Sequence, residues 1–283
     1  MAPALEAGDF RFILAPMSMS EPCAGPKLNP DWLLPEWPVP AQVHALCTTR
    51  AGGTSAAPYD SLNLGQHVGD RAPDVAANRA ILAQAIDAQP VFLSQPHGVE
   101  VVSLSAATAH GTPADGCITD QTGVACTVMV ADCLPVLLTN LQGSRVAAAH
   151  AGWRGLAGSG GVGILESVVA CFRSAESSSK GPEIMAWLGP CIGPLAFEVG
   201  DDVRHAFVEN DPAAKAMFRP KDEGKWLADL AGLARLRLRA LGVQEIYGND
   251  GGRDWCTLSH PERFFSHRRD HVGGRMAACI WLD

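Results

Sequence analysis

Three side chains with the donor chemistry of a metal centre recur in one kind of setting along this sequence. His97 ends the run Val91-Phe92-Leu93-Ser94-Gln95-Pro96-His97-Gly98. Cys133 ends Cys126-Thr127-Val128-Met129-Val130-Ala131-Asp132-Cys133, and His150 ends Val146-Ala147-Ala148-Ala149-His150 before Ala151-Gly152-Trp153. Each stands where an apolar, strand-like run stops and a Gly or Pro turn begins. Strand ends that meet at one rim of a sheet are where open sheets hold ligands. Imidazole and thiolate are preferred zinc donors, and three of them leave a fourth position for water or substrate. An open site of this kind brings the pKa of bound water down to about 7. Taken singly, each residue has an ordinary alternative: a histidine that satisfies one buried hydrogen bond, or a free cysteine packed as a small apolar group. The repeated setting is what favours a shared site.

Two further clusters carry charge. Gly152, Trp153, Arg154, Gly155, Gly158, Gly160, Gly161 and Gly163 lead into a predicted helix. Glycines before a helix N-terminus offer backbone N–H groups to an anion, and Arg154 adds a cation for phosphate. The alternative is a turn packed by small residues, and neither Gly-rich phosphate motif matches. The segment Ser266-His267-Arg268-Arg269-Asp270-His271-Val272-Gly273-Gly274-Arg275 reads as a solvated charged loop, or as an anion-binding wall.

The elements that must position these groups alternate short strand-like and helical runs. Strands are predicted at residues 43–49, 91–94, 99–104, 125–130, 136–138, 145–149, 183–188, 244–247 and 276–282. Helices are predicted at 74–88, 160–175, 199–209 and 227–241, the last with Leu230, Leu233, Leu236 and Leu241 along one side. Such mixing implies a layered α/β or α+β domain. Residues 1–30 read as a poorly ordered leader and 31–283 as a single domain, with the fold proper beginning near Val43.

Composition narrows the function. With 47% hydrophobic and 18% charged residues the chain can bury a sizeable core. Its net charge of -8 argues against a nucleic-acid-binding surface. The longest apolar stretch, 123–138, is cut by Asp132 and Pro135, short of the roughly 20 residues a membrane span needs. Nine scattered cysteines do not form a disulfide framework, so a reducing, cytoplasmic setting is expected. The absence of heptads fits a monomer.

Five ordered motifs then resemble a known family: Gln95-Pro96-His97-Gly98, Ala131-Asp132-Cys133-Leu134-Pro135, His150-Ala151-Gly152-Trp153-Arg154-Gly155, Gly189-Pro190-Cys191-Ile192-Gly193-Pro194, and Cys256-Thr257 with Phe265-Ser266-His267-Arg268-Arg269. Together they resemble the laccase-domain family, whose members have been described as polyphenol oxidoreductases, purine nucleoside phosphorylases and peptidoglycan-editing factors. The resemblance implies a single layered α/β/α domain with a mixed sheet and a zinc site on His97, Cys133 and His150. It also implies phosphorolysis of adenosine, inosine, guanosine and methylthioadenosine, with deamination of adenosine to inosine. The segments Thr49-Arg50-Ala51-Gly52-Gly53 and Ser61-Leu62-Asn63-Leu64-Gly65 look like the family's substrate-side loop, which makes Arg50 and Asn63 candidates for phosphate or ribose contacts. Phe197, His271 and Gly273 depart from the pattern and bear on substrate preference. Deamination needs a proton-carrying carboxylate, for which Asp132 and Asp115 are the candidates.

Three rival readings remain at this point. Cys133 can be a thiolate nucleophile with His97 or His150 as base, acting on an amide of peptidoglycan precursors. The centre can hold copper for phenol oxidation, with Met129 as a weak axial ligand. The chain can also be a non-catalytic module that prevents errors in cell-wall assembly.

Overall fold

A computed structural model describes residue 1, residues 28–174 and residues 183–283. The expected leader lies almost wholly outside the described residues. In chain order the strands are β1 (Val43–Cys47), β2 (Gln89–Phe92), β3 (Val101–Ser103), β4 (Gly116–Thr119), β5 (Val124–Val130), β6 (Leu134–Asn140), β7 (Val146–Ala151), β8 (Ile184–Leu188), β9 (Glu198–Gly200), β10 (Phe218–Pro220), β11 (Lys225–Ala228), β12 (Glu245–Gly248) and β13 (Met276–Leu282). The helices are α1 (Ala72–Ile86), α2 (Trp153–Ala157), α3 (Ile164–Ser174), α4 (Asp201–Val208), α5 (Leu230–Ala240) and α6 (His267–Asp270).

Two mixed sheets form the middle of the molecule. One has the order β1-β13-β5-β2 and the other β12-β8-β6-β7-β4-β3. Val91, Cys126, Val128, Ala278 and Ile280 of the first sheet pack against Leu137, Val146, Ala148 and Trp187 of the second. The outer face of the four-stranded sheet is covered by Leu82 and Ile86 of α1 together with Leu62, Leu64 and Trp32. Helices α3, α4 and α5 cover the outer face of the six-stranded sheet through Leu165, Val168, Phe172, Phe207, Leu233 and Leu238. The α/β layering implied by the family resemblance therefore holds, with the β layer doubled into two facing sheets. Strands covered on both sides should be apolar without alternation, and β5, β6, β7 and β13 are buried along their whole length.

Several boundaries differ from the pattern-based expectation. Trp32 is buried and Leu33 bridges Cys47, so the packed fold starts before Val43. The predicted helices at 199–209 and 227–241 each open in a strand: β9 and β11, with β10, form a separate three-stranded sheet. These strands are only three or four residues long, and their apolar residues run into the helical periodicity behind them. Helix α3 is closed at its N-terminus by its own first turn. Gly163 N–H donates to Glu166 Oε2 at 2.8 Å, and Glu166 Oε1 accepts from Arg237 Nε of α5 at 2.9 Å.

What positions the site is the crossing between the two sheets. Strand β5 belongs to the four-stranded sheet and β6 to the six-stranded one, and only Ala131-Asp132-Cys133 separate them. Register then sets Pro135 of β6 opposite His150 of β7.

Candidate metal centre

Cys133 sits on the short link between sheets, and the link is held by its neighbour. Asp132 has a left-handed backbone, φ 89°, which costs a non-glycine residue about 1–2 kcal/mol. Three hydrogen bonds hold it there. Its Oδ1 accepts from Thr257 Oγ1 at 2.6 Å, its Oδ2 from Arg268 N–H at 2.7 Å, and its carbonyl from Ile192 N–H at 2.9 Å. His97 is also left-handed, φ 66°. Gln95 anchors its loop by offering the backbone of Met129 a two-way pairing: Nε2 donates to the Met129 carbonyl at 2.8 Å and Oε1 accepts from its N–H at 2.9 Å. That side chain continues the ladder of β5 where β2 has already ended.

Asp115 joins the two histidines. Its Oδ1 accepts from His97 N–H at 3.0 Å and from His150 Nδ1 at 2.8 Å, and its Oδ2 accepts from Gly98 N–H at 2.5 Å. Its carbonyl accepts from His150 N–H at 2.7 Å. With Nδ1 of His150 engaged, Nε2 is left for a metal. This is the carboxylate–histidine arrangement that orients metal ligands.

The three expected ligands converge. One donor atom each from His97, Cys133 and His150 lie within 4.8 Å of one another, and the two imidazoles meet edge to face with centroids 4.8 Å apart. Gly152 makes this approach possible. A Cβ there would stand 3.0 Å from Cys133 Sγ and 3.1 Å from His97 Cδ2, although its backbone, φ -67° and ψ 159°, suits any residue. Gly155 likewise lets α2 approach the Gly98 carbonyl. The glycine-rich run thus serves close packing. Of the two readings the glycines allow, the packed turn holds, and the Gly163 N–H that an anion would need before α3 is taken by Glu166.

Burial alone would raise the Cys133 thiol, but the charges and hydrogen bonds of His150 and His97 overcome it and bring the thiol down to about 6. Burial alone would lower His150; Cys133 and Asp115 overcome that and hold the imidazole at about 9. In metal-free protein the pair is therefore thiolate and imidazolium between about pH 6 and 9. The thiolate is lost as pH falls through the lower value, and the imidazolium as pH rises through the upper. Chelator-treated protein should show alkylation of Cys133 by iodoacetamide that rises through pH 6 and is flat above about pH 7.5, against about 8.5 for an ordinary thiol. Peptide mapping of the rate against pH checks this. A rate still climbing at pH 9 would refute the paired thiolate.

The donor cluster opens into a cavity of about 380 Å³, within the usual ~300–1,000 Å³ of small-molecule sites. Arg154, Arg268 and Arg275 give its wall a cationic character, His67 and His267 add imidazoles, and Trp153, Ile192 and Phe197 add apolar surface. Burial, then Arg275 and Arg79, lower the pKa of His67. Asp132 is the one carboxylate among the described wall residues, and both its oxygens are bonded. Of the expected substrate contacts, Arg154 lines the cavity, stacked on Trp153 at 4.4 Å. Arg50 does not. It donates to the carbonyls of Asp60 and Pro261, pairs with Asp60 at 3.2 Å, and lines a separate cleft. Asn63 is buried behind the wall. Met129 reaches the wall, and its Sδ lies 3.9 Å from Arg79 Nη2. Of the charged segment 266–275, which the sequence offers as a solvated loop or an anion-binding wall, His267, Arg268 and Arg275 line the cavity, whereas His67 carries no sequence signal beyond its place beside turn glycines.

The family model described as multi-copper polyphenol oxidoreductase laccase matches residues 44–283. A Pseudomonas aeruginosa protein named purine nucleoside phosphorylase is 48% identical over 253 residues, covering 89% of this chain and 98% of its own length. An Escherichia coli protein named purine nucleoside phosphorylase YfiH is 48% identical over 253 residues, covering 88% and 98%. The solved structure of a Neisseria meningitidis protein matches with a TM-score of 0.80 at 46% identity, covering 89% of this chain and 99% of that one. YlmD from Geobacillus stearothermophilus matches with a TM-score of 0.76 at 34% identity, covering 86% and 92%.

Proposed function

Because this chain belongs to the laccase-domain family, we propose that it is a zinc-dependent purine nucleoside phosphorylase that also deaminates adenosine. The observation that carries the reading is one cavity in which a His–Cys–His donor cluster faces a cationic wall. Relatives named purine nucleoside phosphorylase point to a nucleoside and phosphate as the occupants.

The donor set fits zinc. Two imidazole nitrogens and one thiolate match its preferred ligands and leave a fourth position open. Copper is less well served. The sequence holds no His-x-His pair, and the Met129 thioether lies against Arg79. When bound, zinc would supply Lewis-acid polarisation of an oxygen or nitrogen in the open position. The chain's own groups do the rest. The arginines of the wall hold the phosphate dianion, and Trp153, Ile192 and Phe197 give the base an apolar face. A phosphate oxygen forms the bond to ribose C1′ as the C1′–N9 bond breaks. Its electron pair goes to the purine, which takes up a proton. Asp115 and Asp132 have their oxygens committed, so they serve as positioning residues. His67 and His267, whose rings make no hydrogen bond among the described residues, are the wall groups left to carry a proton, in deamination in place of the two carboxylates that the sequence offers for it.

A second reading has a specific observation behind it. Cys133, His150 and Asp115 form a thiolate–imidazolium–carboxylate series, the constellation of a cysteine hydrolase. The purified protein should release hypoxanthine from inosine only when phosphate is present, forming ribose 1-phosphate, and should convert adenosine to inosine without phosphate. Phosphate-independent cleavage of an amide substrate with no base released from inosine would give the site to the hydrolase.

A further inference from the structure

We propose that Arg275 is the group that receives inorganic phosphate in this cavity, and that Asn63 is the residue that positions it. The proposal rests on the phosphorylase reading and deepens it, because that reading leaves open which cation of the wall binds the anion.

Arg275 stands immediately before β13, where its backbone is locked to the loop across from it. Its N–H donates to Asn63 Oδ1 at 2.9 Å, and its carbonyl accepts from Leu64 N–H at 3.1 Å. The same Asn63 Oδ1 accepts from Gly65 N–H at 2.9 Å, while Nδ2 donates to the Gly65 carbonyl at 3.2 Å and to Asp70 Oδ2 at 2.9 Å. One fully buried amide therefore ties the loop that carries His67 to the loop that carries Arg275. The arginine stem crosses Gly65 so closely that a Cβ there would stand 2.8 Å from Arg275 Cγ. Its Nη1 is anchored on the carbonyls of Gly273 at 3.2 Å and Gly274 at 3.0 Å.

The guanidinium thus has a set direction and unused donors. Nε and Nη2 make no hydrogen bond, and no carboxylate pairs with it, among the described residues. The opposite charges in its field are Cys133 and Asp132. A half-buried cation with no carboxylate paired to it is costly to maintain, and a planar guanidinium with free edges matches phosphate oxygens bidentately. The other arginines are less suited. Arg50 is paired with Asp60, Arg268 is tied to the Glu198 carbonyl, and Arg154 is exposed over Trp153.

Calorimetric titration of zinc-loaded protein with inorganic phosphate tests this, alongside inosine phosphorolysis. Arg275→Gln is expected to weaken phosphate binding about 10–100-fold and to raise the phosphate KM in step. The inosine KM should stay within about 3-fold and the zinc content should be unchanged. Arg275→Lys should recover part of the loss, and Asn63→Ala should raise the phosphate KM selectively. Unchanged phosphate affinity in Arg275→Gln overturns the proposal. So does loss of binding in Arg50→Gln instead, or no phosphate binding by the wild type. If Arg275 serves only to shield Cys133, zinc content falls while zinc-loaded variant binds phosphate normally, which also overturns it. Phosphate binding through Arg275 with no base released from inosine would uphold the anion site and sink the phosphorylase reading.

Discussion

Cys133→Ala is expected to purify folded, to hold little zinc, and to release hypoxanthine from inosine more than about 100-fold more slowly than the wild type. The magnitude follows from comparison. Losing a partner that merely orients a metal ligand costs about 10–100-fold in affinity or activity, so losing the ligand itself costs more. The fold should survive because β5 and β6 on either side are buried along their length, and the removed thiol leaves only a small cavity. His150 also keeps Asp115 as its partner. Cys133→Ser should behave alike, since a hydroxyl in this setting does not ionise as the thiol does. Zinc by atomic spectroscopy and phosphate-dependent base release measure the two effects. Stoichiometric zinc with full turnover in Cys133→Ala would remove the residue from the centre. Full turnover by metal-free wild type, lost only on the substitution, would mark the thiolate as a nucleophile.

The three donor residues were legible in the sequence because each ends an apolar run, and a strand that stops at a rim leaves its last polar residue facing outward. His150 sharpens that rule. It lies within β7, one residue before its end, and is paired with Pro135, the second residue of β6, beside the sheet crossing. The ordered motifs did more than spacing could, since residues 36 and 17 positions apart carry no periodic signal. The glycines after His150 were legible as glycines but not as their use. A run that suggests an anion cradle is here a run of missing Cβ atoms that lets Gly152 lie against Cys133 and His97. Asn63 and Arg50 show the same limit. The loop resemblance marked them as substrate-side, whereas Asn63 is a buried bracket and Arg50 is bonded into another cleft. The doubled β layer was not legible, because a strand buried between two sheets and one buried between a sheet and helices have the same apolar pattern.

Asp115 is the residue whose importance least resembles its sequence context, and its replacement by the nearly isosteric Asn should show it. Three donors converge on its two oxygens: His97 N–H and His150 Nδ1–H on one, Gly98 N–H on the other. An amide offers only one acceptor atom. Whichever way the Asn side chain turns, its NH₂ faces at least one donor, and that donor loses its partner at a cost of up to about 1–3 kcal/mol where it is buried. If the oxygen stays with His97 and His150, the loop loses its second clamp at Gly98, next to the left-handed His97. If it turns to Gly98, His150 loses the acceptor that keeps Nε2 toward the site. Either result loosens a metal ligand without touching the metal, and the expected cost is about 10–100-fold in zinc affinity. Chelator competition measures that cost, and thermal unfolding of the metal-free proteins measures the stability cost separately. Zinc affinity within about 3-fold of wild type would show that Asp115 only fills space, since the Asn side chain fills the same volume. A loss of both, with Gly98 amide exchange accelerated alongside, would show that one buried carboxylate sets the geometry of two ligands that lie 53 positions apart in the chain.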